Sequence, residues 1–523
     1  MPRSETLTSP PQIAEAARET PAAPHPRTAY LHGLELLRAG HAAKAAGLLT
    51  EAVAVLPTDE RVHVNLVRAL IAAEEPQRAV QAADAALALF PDQAELHFSR
   101  GTAQNMLGQP RTALASLQRA VALDPQHAPS LLNLGNACVD LDDLPAAETH
   151  IRAALERDPA LAEAHASLGF VLAALGRLPE AIAACDAAIA LRPDFVQAHW
   201  NLATAALRSG DYVRGFAEYE WRKRHDRFRR DFVNLPGPTW TGDDPAGRTI
   251  LVHAEQGLGD TIQFARYLPL IVARGGNPVL ACERPLLPWL GTLPGVRVVP
   301  KDAPLPRYDC WIDQMSLPHA FGTTPDTIPA AEGYLRADPV RVANWRARLP
   351  AGAKIGLAWA GNPAHSNDRR RSLPPDAVPH LRALAGDRAV NLQVGARAAE
   401  AGLPDLSPLL TDYAETAALV ANLDLLLTVD TSVAHVAGAL GVPCWLMLPH
   451  APDWRWMPGR VDSPWYASLR VFRQPAPGDW CGVMEQVRTE LGSLRAATGR
   501  RRPVANSQST DGVRRVLRRG HTA

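Results

Sequence analysis

The chain has 523 residues, more than a single hydrophobic core organises, so at least two domains are expected. A composition 47% hydrophobic and 21% charged excludes wholesale disorder. Lys plus Arg equals Asp plus Glu at 54 each, so the basic surplus of a non-specific nucleic-acid binder is missing and no nucleic-acid partner is expected.

The opening, Met1-Pro2-Arg3-Ser4-Glu5-Thr6, leads into polar, proline-rich sequence without the apolar core of a secretory signal, and residues 1–25 are expected to be disordered. No run approaches the roughly 18 apolar residues of a transmembrane segment, so a cytoplasmic protein is expected. Six scattered cysteines (Cys138, Cys185, Cys282, Cys310, Cys444, Cys481) form no C-x-x-C pair and read as buried thiols of a reducing compartment, with no metal site. Only Lys44, Lys223, Lys301 and Lys354 are lysines, so anion binding falls mostly to arginine.

Prolines stand at 57, 91, 125, 159 and 193, each 34 residues from the last. In the same frame small residues recur at Gly33, Gly101, Gly135, Gly169 and Ala203. Alanines recur at 45, 79, 113, 147 and 181, and again at 52, 86, 120, 154 and 188. Small residues are needed where paired helices cross closely, and proline ends the second helix of each unit. The period and pattern resemble the tetratricopeptide repeat, in six units over residues 26–229, which implies an α-solenoid. In the last unit Gly215 and Arg222 replace the two alanines, and its second helix is expected to run on through the basic stretch 222–230. That stretch reads as a solvated cap or junction helix in preference to a patch for an anionic partner.

Two ladders run along the repeats. His63, His97, His165 and His199 occupy equivalent positions, but stacked helices hold such positions about 10 Å apart, whereas zinc needs nitrogens about 2 Å from one ion. They read as packing residues. Asn65, Ser99, Asn133, Ser167 and Asn201 form the second ladder, with Asn136 nearby. Its amides Asn65, Asn133 and Asn201 are candidates to hold an extended peptide or acceptor in the superhelical groove, and a structural role is the alternative.

After a turn-rich linker at 230–245 the pattern changes. Strand-like runs at 249–255, 278–283, 296–300 and 308–314 alternate with helical stretches, and the alternation resumes at 354–361, 390–394, 424–430 and 443–448. Two doubly wound parallel domains, 246–338 and 339–495, are expected, with ligand at the carboxyl ends of the strands. A polar, Arg-rich tail at 496–523 is expected to be flexible.

Three segments occupy those strand ends. His253-Ala254-Glu255-Gln256-Gly257-Leu258-Gly259-Asp260-Thr261 leads into a helix expected over 261–274. Ile262 stands where a dinucleotide fingerprint needs its third glycine, so hydride transfer is disfavoured. Asp260 is either a general base or an N-cap. Residues 359–374 form a polar loop containing Arg369-Arg370-Arg371, whose guanidinium forks suit a diphosphate. Residues 424–443 form a buried strand ending at Asp430, with Thr431 and Ser432 opening a helix. Its free N–H groups suit phosphate and Asp430 suits sugar hydroxyls, or the segment is an ordinary helix cap.

Gly257-Leu258-Gly259-Asp260, the loop ending Arg371-Ser372-Leu373-Pro374, and Asp430-Thr431-Ser432-Val433-Ala434-His435 together resemble glycosyltransferase family 9, the heptosyltransferase-like enzymes, across 246–495. The resemblance implies a GT-B fold, a pair of Rossmann-like domains, and inverting transfer from a nucleotide-diphosphate sugar co-substrate without metal or other cofactor. It places the family's general base on Asp260 and its phosphate-binding lysine on Arg371. Its sugar- and diphosphate-binding triplet falls on Asp430, Thr431 and Ser432, and its helix histidine on His435. Gly257, Gly259 and Arg369 complete the implied donor site. The first half is short for the family, and Arg371 and Ser432 replace lysine and glycine. The implied partners are a nucleotide sugar, an acceptor protein or glycan, and a protein partner recruited by the repeats. The alternative is a non-catalytic scaffold with a degenerate sugar-nucleotide domain.

Two further features remain. Trp454, Trp456, Trp465 and Tyr466 are expected in a loop, where they stack a base or sugar or else pack between domains. Asp140-Leu141-Asp142 falls in a repeat loop and is discounted as a metal site.

Overall fold

A computed structural model describes residues 26–229, 232–329, 333–365 and 367–499. The expected disordered segment 1–25 and most of the basic tail lie outside the described residues. The chain divides into two compact units, with the boundary between Asn201 and Leu202.

The first unit is a helical tetratricopeptide solenoid. Its helices pair as α1 (Pro26–Arg38) with α2 (Ala42–Val55), α3 (Glu60–Ala72) with α4 (Pro76–Leu87), and α5 (Ala94–Met106) with α6 (Pro110–Leu123). They continue as α7 (Ala128–Asp140) with α8 (Leu144–Arg157), α9 (Ala162–Ala174) with α10 (Leu178–Leu191), and the first part of α11 (Val196–Ser209). All ten laddered alanines are fully buried. An added Cβ at Gly33, Gly101, Gly135 or Gly169 would fall 2.4–2.9 Å from Leu49, Leu117, Ile151 or Cys185, so these glycines set how closely the helices cross. The turn inside each pair carries a left-handed residue at the same frame position: Gly40, Glu74, Gly108, Asp142, Gly176 and Gly210.

The histidine ladder has a backbone role. Nε2 of His63, His97, His165 and His199 donates to the carbonyls of Pro57, Pro91, Pro159 and Pro193 at 2.8–3.0 Å. Each imidazole satisfies a carbonyl left over where the preceding helix ends. Among the described residues, Asp140 and Asp142 included, no group of three metal-ligating side chains gathers.

The second unit opens with the remainder of α11 and with α12 (Tyr212–Tyr219), followed by 3-10 turns at Glu220–Arg224 and Asp226–Phe228. The basic stretch, expected as a solvated cap or junction helix, is two 3-10 turns, with Arg224, Arg227 and Arg229 exposed and Arg222 wholly buried. Arg230 lies outside the described residues. Two parallel sheets follow. In the first, β1 (Thr249–His253), β2 (Asn277–Cys282), β3 (Arg297–Pro300) and β4 (Cys310–Asp313) are ordered β3-β2-β1-β4. Its connections hold α13 (Leu258–Phe264), α14 (Leu268–Ala273), α15 (Leu287–Leu290) and α16 (Leu317–Ala320). In the second, β5 (Ile355–Ala358), β6 (Ala389–Asn391), β7 (Leu425–Val429), β8 (Cys444–Leu448) and β9 (Leu469–Arg473) are ordered β6-β5-β7-β8-β9. It is accompanied by α17 (Pro339–Arg348), α18 (Asp368–Arg371), α19 (Val378–Ala385), α20 (Tyr413–Val420), α21 (Ser432–Leu440) and α22 (Trp480–Gly499).

Three details differ from expectation. The single helix expected over 261–274 starts earlier, at Leu258, and a 3-10 turn at Ala265–Tyr267 interrupts it. Pro269, with no N–H to donate, opens α14. Strand β9 escaped the sequence pattern because Arg470 and Arg473 interrupt its apolar run, which an edge strand tolerates. Five cysteines are buried as free thiols, but Cys481, in the first turn of α22, is exposed.

Gly135→Ala tests the crossing geometry. Its Cβ would meet Ile151 Cγ1 at 2.6 Å and the Ala147 carbonyl at 3.1 Å. Denaturant unfolding should show a loss of about 1–3 kcal/mol from overpacking, against the roughly 1 kcal/mol that alanine ordinarily gains over glycine in a helix. Ile151→Ala in the same chain should shrink that loss.

Candidate functional site

The carboxyl ends of both sheets in the second unit carry the sequence-predicted segments. β1 leads into a loop in which Gln256 takes φ +62°, rare for a residue with a side chain. Gly257 is the N-cap of α13, and its N–H donates to Asp260 Oδ2 at 2.8 Å. Asp260 is therefore the third residue of the helix, bonding back to the cap, and not the N-cap itself. Its other oxygen accepts from Arg455 Nη2 at 2.5 Å. Arg455 is buried and also donates to Gln263 Oε1 at 2.6 Å and Asp453 Oδ1 at 2.8 Å.

Burial pushes the Asp260 carboxyl above its ordinary value, while Arg455 and the Gly257 N–H oppose the shift. Asp453 and Glu255 add to the rise. Gly259 lies where a Cβ would fall 2.8 Å from His435 Cδ2 and 3.4 Å from Ser432 Cα, so the absence of a side chain brings α13 against the start of α21.

After β5, the loop folds back on itself. The N–H groups of Trp359 and Ala360 donate to Gln393 Oε1 at 3.0 and 2.9 Å, and Gly361 N–H donates to Ser372 Oγ at 2.9 Å. A Cβ on Gly361 would collide with the Arg371 guanidinium at 2.5 Å, so Arg371 lies directly over bare backbone. Its Nε donates to Asp368 Oδ1 at 3.3 Å. Arg371 is half-buried and its charge is felt at Asp430, whereas Arg369 of the same run is exposed.

Strand β7 delivers Asp430, and Thr431 is the N-cap of α21 without a side-chain cap bond. Its hydroxyl lies 3.2 Å from that of Thr428. Ser432 Oγ accepts from Tyr413 at 2.7 Å. Burial, then the charge of Asp453, pushes the Asp430 carboxyl up to about 6, and Arg371, Trp456 and Arg455 pull against them. Trp456 Nε1 is buried and, among the described residues, reaches no acceptor at hydrogen-bond distance, so its pull on Asp430 is a long one. His435 is buried, its Nδ1 bonded to Tyr466 Oη at 2.8 Å, and burial holds its pKa well below the ordinary value. The neutral imidazole packs where α13 approaches the start of α21.

The aromatic run proves to be packing. Trp454, Trp456, Trp465 and Tyr466 are all buried. Trp465 stacks on Tyr212 of α12 and donates its Nε1–H to the Tyr212 hydroxyl at 3.1 Å. Trp454 meets Tyr212, Phe216 and Tyr219 edge-on. The bond from Arg455 to Asp260 spans 195 positions, and nothing in the sequence pattern links the two.

In the first unit, the amides proposed for a peptide groove face the preceding repeat. Asn65 Nδ2 donates to Tyr30 Oη at 3.1 Å and Asn133 Nδ2 to Thr102 Oγ1 at 2.9 Å. Asn201 Nδ2 donates to the Ala166 carbonyl at 3.0 Å, and Asn201 is buried. These three amides fasten α3, α7 and α11 to the first helices of the repeats before them.

A tetratricopeptide-repeat family model matches residues 98–162, 132–194 and 168–220, and a second of the same description matches 36–98. The sequence is 30% identical over 328 residues to Protein FlbA of Caulobacter vibrioides, covering 56% of this chain and 55% of that protein. The chain thus spans about half the length of this curated relative. Among solved structures, the tetratricopeptide protein TTC0263 of Thermus thermophilus is 22% identical with TM-score 0.32, covering 35% of this chain and all of its own. YrrB, described as having an unusual peptide-binding site, is 20% identical with TM-score 0.29 over 34% of this chain and 92% of its own.

The Asp430 environment has a measurable consequence. With a folded pKa of about 6 against 3.8, the native state keeps a proton that the unfolded chain has already released. This carboxyl therefore subtracts stability as pH rises from 4 through 6. Asp430→Asn should gain on the wild type between pH 4.5 and 7.5 by roughly 1–3 kcal/mol in denaturant unfolding. A difference that does not vary with pH would rule out this environment for Asp430.

Proposed function

We propose that the chain is a GT-B glycosyltransferase that transfers a sugar from a nucleotide-diphosphate donor to an acceptor hydroxyl, with inversion and without a metal. One observation carries the reading. The Asp260 carboxylate, the Arg371 guanidinium and the uncapped start of α21 beside Asp430 all stand at the carboxyl ends of two parallel sheets within one unit. Arg455 ties them together, since it bonds Asp260 and its charge reaches Asp430. The motif likeness to glycosyltransferase family 9 supports the same reading.

In this mechanism Asp260 takes the proton of the acceptor hydroxyl while that oxygen forms a bond to the anomeric carbon. The bond from the anomeric carbon to the diphosphate oxygen breaks, and its electron pair leaves with the diphosphate. A base must be ionised to act, and the Arg455 guanidinium offsets the burial that otherwise protonates Asp260. Arg371 and the first N–H groups of α21 meet the charge that develops on the leaving group. Thr431 and Ser432 position the phosphates, and Asp430 accepts from sugar hydroxyls. Tetratricopeptide arrays present extended surfaces to protein partners, and here they recruit the acceptor, protein or glycan, or a partner that delivers it.

Melting-temperature screening with nucleotide sugars identifies the donor, and turnover of that donor is then compared among variants. Asp260→Asn should lower turnover by about 10²–10⁴-fold with donor binding retained. Arg371→Met should lower it by about 10²–10³-fold. Donor binding with no turnover in the wild type would favour the scaffold reading, and neither binding nor turnover would remove both.

A further inference from the structure

Among the described residues, four with side chains adopt positive φ. Glu74 and Asp142 occupy the turn position of their repeats, where glycine stands in the other four. The remaining two, Gln256 at +62° and Met457 at +33°, lie in the loop before Asp260 and the loop after Arg455. Such conformations persist only where the surroundings hold them. α12 with its 3-10 extension reaches both.

Tyr219 Oη lies 3.2 Å from Gln256 Nε2 and 3.3 Å from Oε1. Arg222 grips the neighbouring Glu255 through Nε at 3.0 Å and Nη2 at 2.5 Å, both side chains being fully buried. On the other loop, Tyr212 Oη donates to Met457 Sδ at 3.7 Å. A Cβ on Gly210 would stand 2.9 Å from Met457 Cε. Met457 is also the C-cap of the 3-10 turn Trp454–Trp456, its N–H donating to the Trp454 carbonyl, and its own carbonyl and that of Trp456 accept from Arg473.

We propose that Tyr219 and Tyr212 are positioning residues of the transfer site: from the second helix of the last repeat they clamp the two strained loops, one from each α/β half, that present Asp260 and Arg455 to one another. The clamp is a statement about the loops alone; only its effect on turnover rests on the glycosyltransferase reading.

Hydrogen exchange on the full chain tests it directly. Tyr219→Phe keeps the ring and removes one hydroxyl, and it should speed exchange of the amides at 256–261 about fivefold, with the sheets and repeats unchanged. Tyr212→Phe should do the same at 454–459. Gln256→Gly, which both removes the bonded side chain and relaxes the backbone, should loosen the first loop alone. Unchanged exchange, or a rise spread evenly over the unit, would overturn the clamp.

A double-mutant cycle supplies the functional reading. Tyr219→Phe should lower turnover about fivefold in the wild type and leave the residual rate of Asp260→Asn untouched. An equal fall in both backgrounds would make Tyr219 merely structural. Failure of the proposed reaction shows separately, as a wild type without turnover or an Asp260→Asn variant that matches it, and the exchange data then still decide the clamp.

Discussion

A carboxylate partly withdrawn from water at the end of a parallel sheet is favoured in its charged form by an adjacent cation, and the Asp260–Arg455 pair is the contact on which the second unit's candidate site turns. Arg455 is itself buried, and the carboxylate of Asp453 and the amide of Gln263 hold its guanidinium in place. Taking ions out of water costs several kcal/mol each, and the loss of one partner costs about 3–5 kcal/mol because the other is stranded. The pair joins the helix after β1 to the loop after β8. The ionisation of Asp260 and the approach of the two α/β halves are therefore one constraint. The bare backbone at Gly259 is its steric counterpart, since any side chain there would push α13 off His435 and Ser432.

The solenoid obeys a different logic, repeated contact by contact. Proline follows each second helix; in four repeats its carbonyl is taken up by a histidine six residues on, and in three an asparagine eight residues on ties back to the previous repeat. Both polar ladders tempt a functional reading, because histidine and asparagine are versatile groups. Their partners are nevertheless main-chain carbonyls and neighbouring hydroxyls. A polar residue that recurs in frame with a helix end is first a solution to the unmet hydrogen bonds of that end.

Much of this was legible before any coordinates. The 34-residue period predicts the helices, and eight of nine strands follow from apolar runs between turn formers. The exception, β9, carries two arginines on a sheet edge. The places of Asp260, Arg371 and Asp430 beyond the ends of β1, β5 and β7 were legible from the alternation of apolar runs and turn formers. The grip on Asp260 was not legible. Arg455 stands in a Trp-Arg-Trp run that reads equally as a stacking platform, and only the fold decides that its aromatic neighbours are interior while its guanidinium turns to a distant carboxylate. His435 illustrates the same limit: the motif marks its position, but its bond to Tyr466 is visible only in the fold.

The departures in the last repeat follow from where stacking stops. In five repeats the frame holds two alanines because another helix pair must pack across them. In the sixth, Gly215 replaces the first, and a Cβ there would meet Leu207 Cγ at 2.7 Å, so α11 and α12 close on each other more tightly than an alanine allows. Arg222 replaces the second and finds Glu255, Glu220 and Ser316 where a seventh repeat would have supplied apolar surface. A buried arginine with its donors met by two carboxylates and a hydroxyl suits a polar neighbour as alanine suits a helix. The substitution that looks like decay of the repeat is thus the point at which the solenoid's packing code yields to that of the α/β unit. The change begins in the same stretch, from Leu202 onward, where the chain's compact units divide.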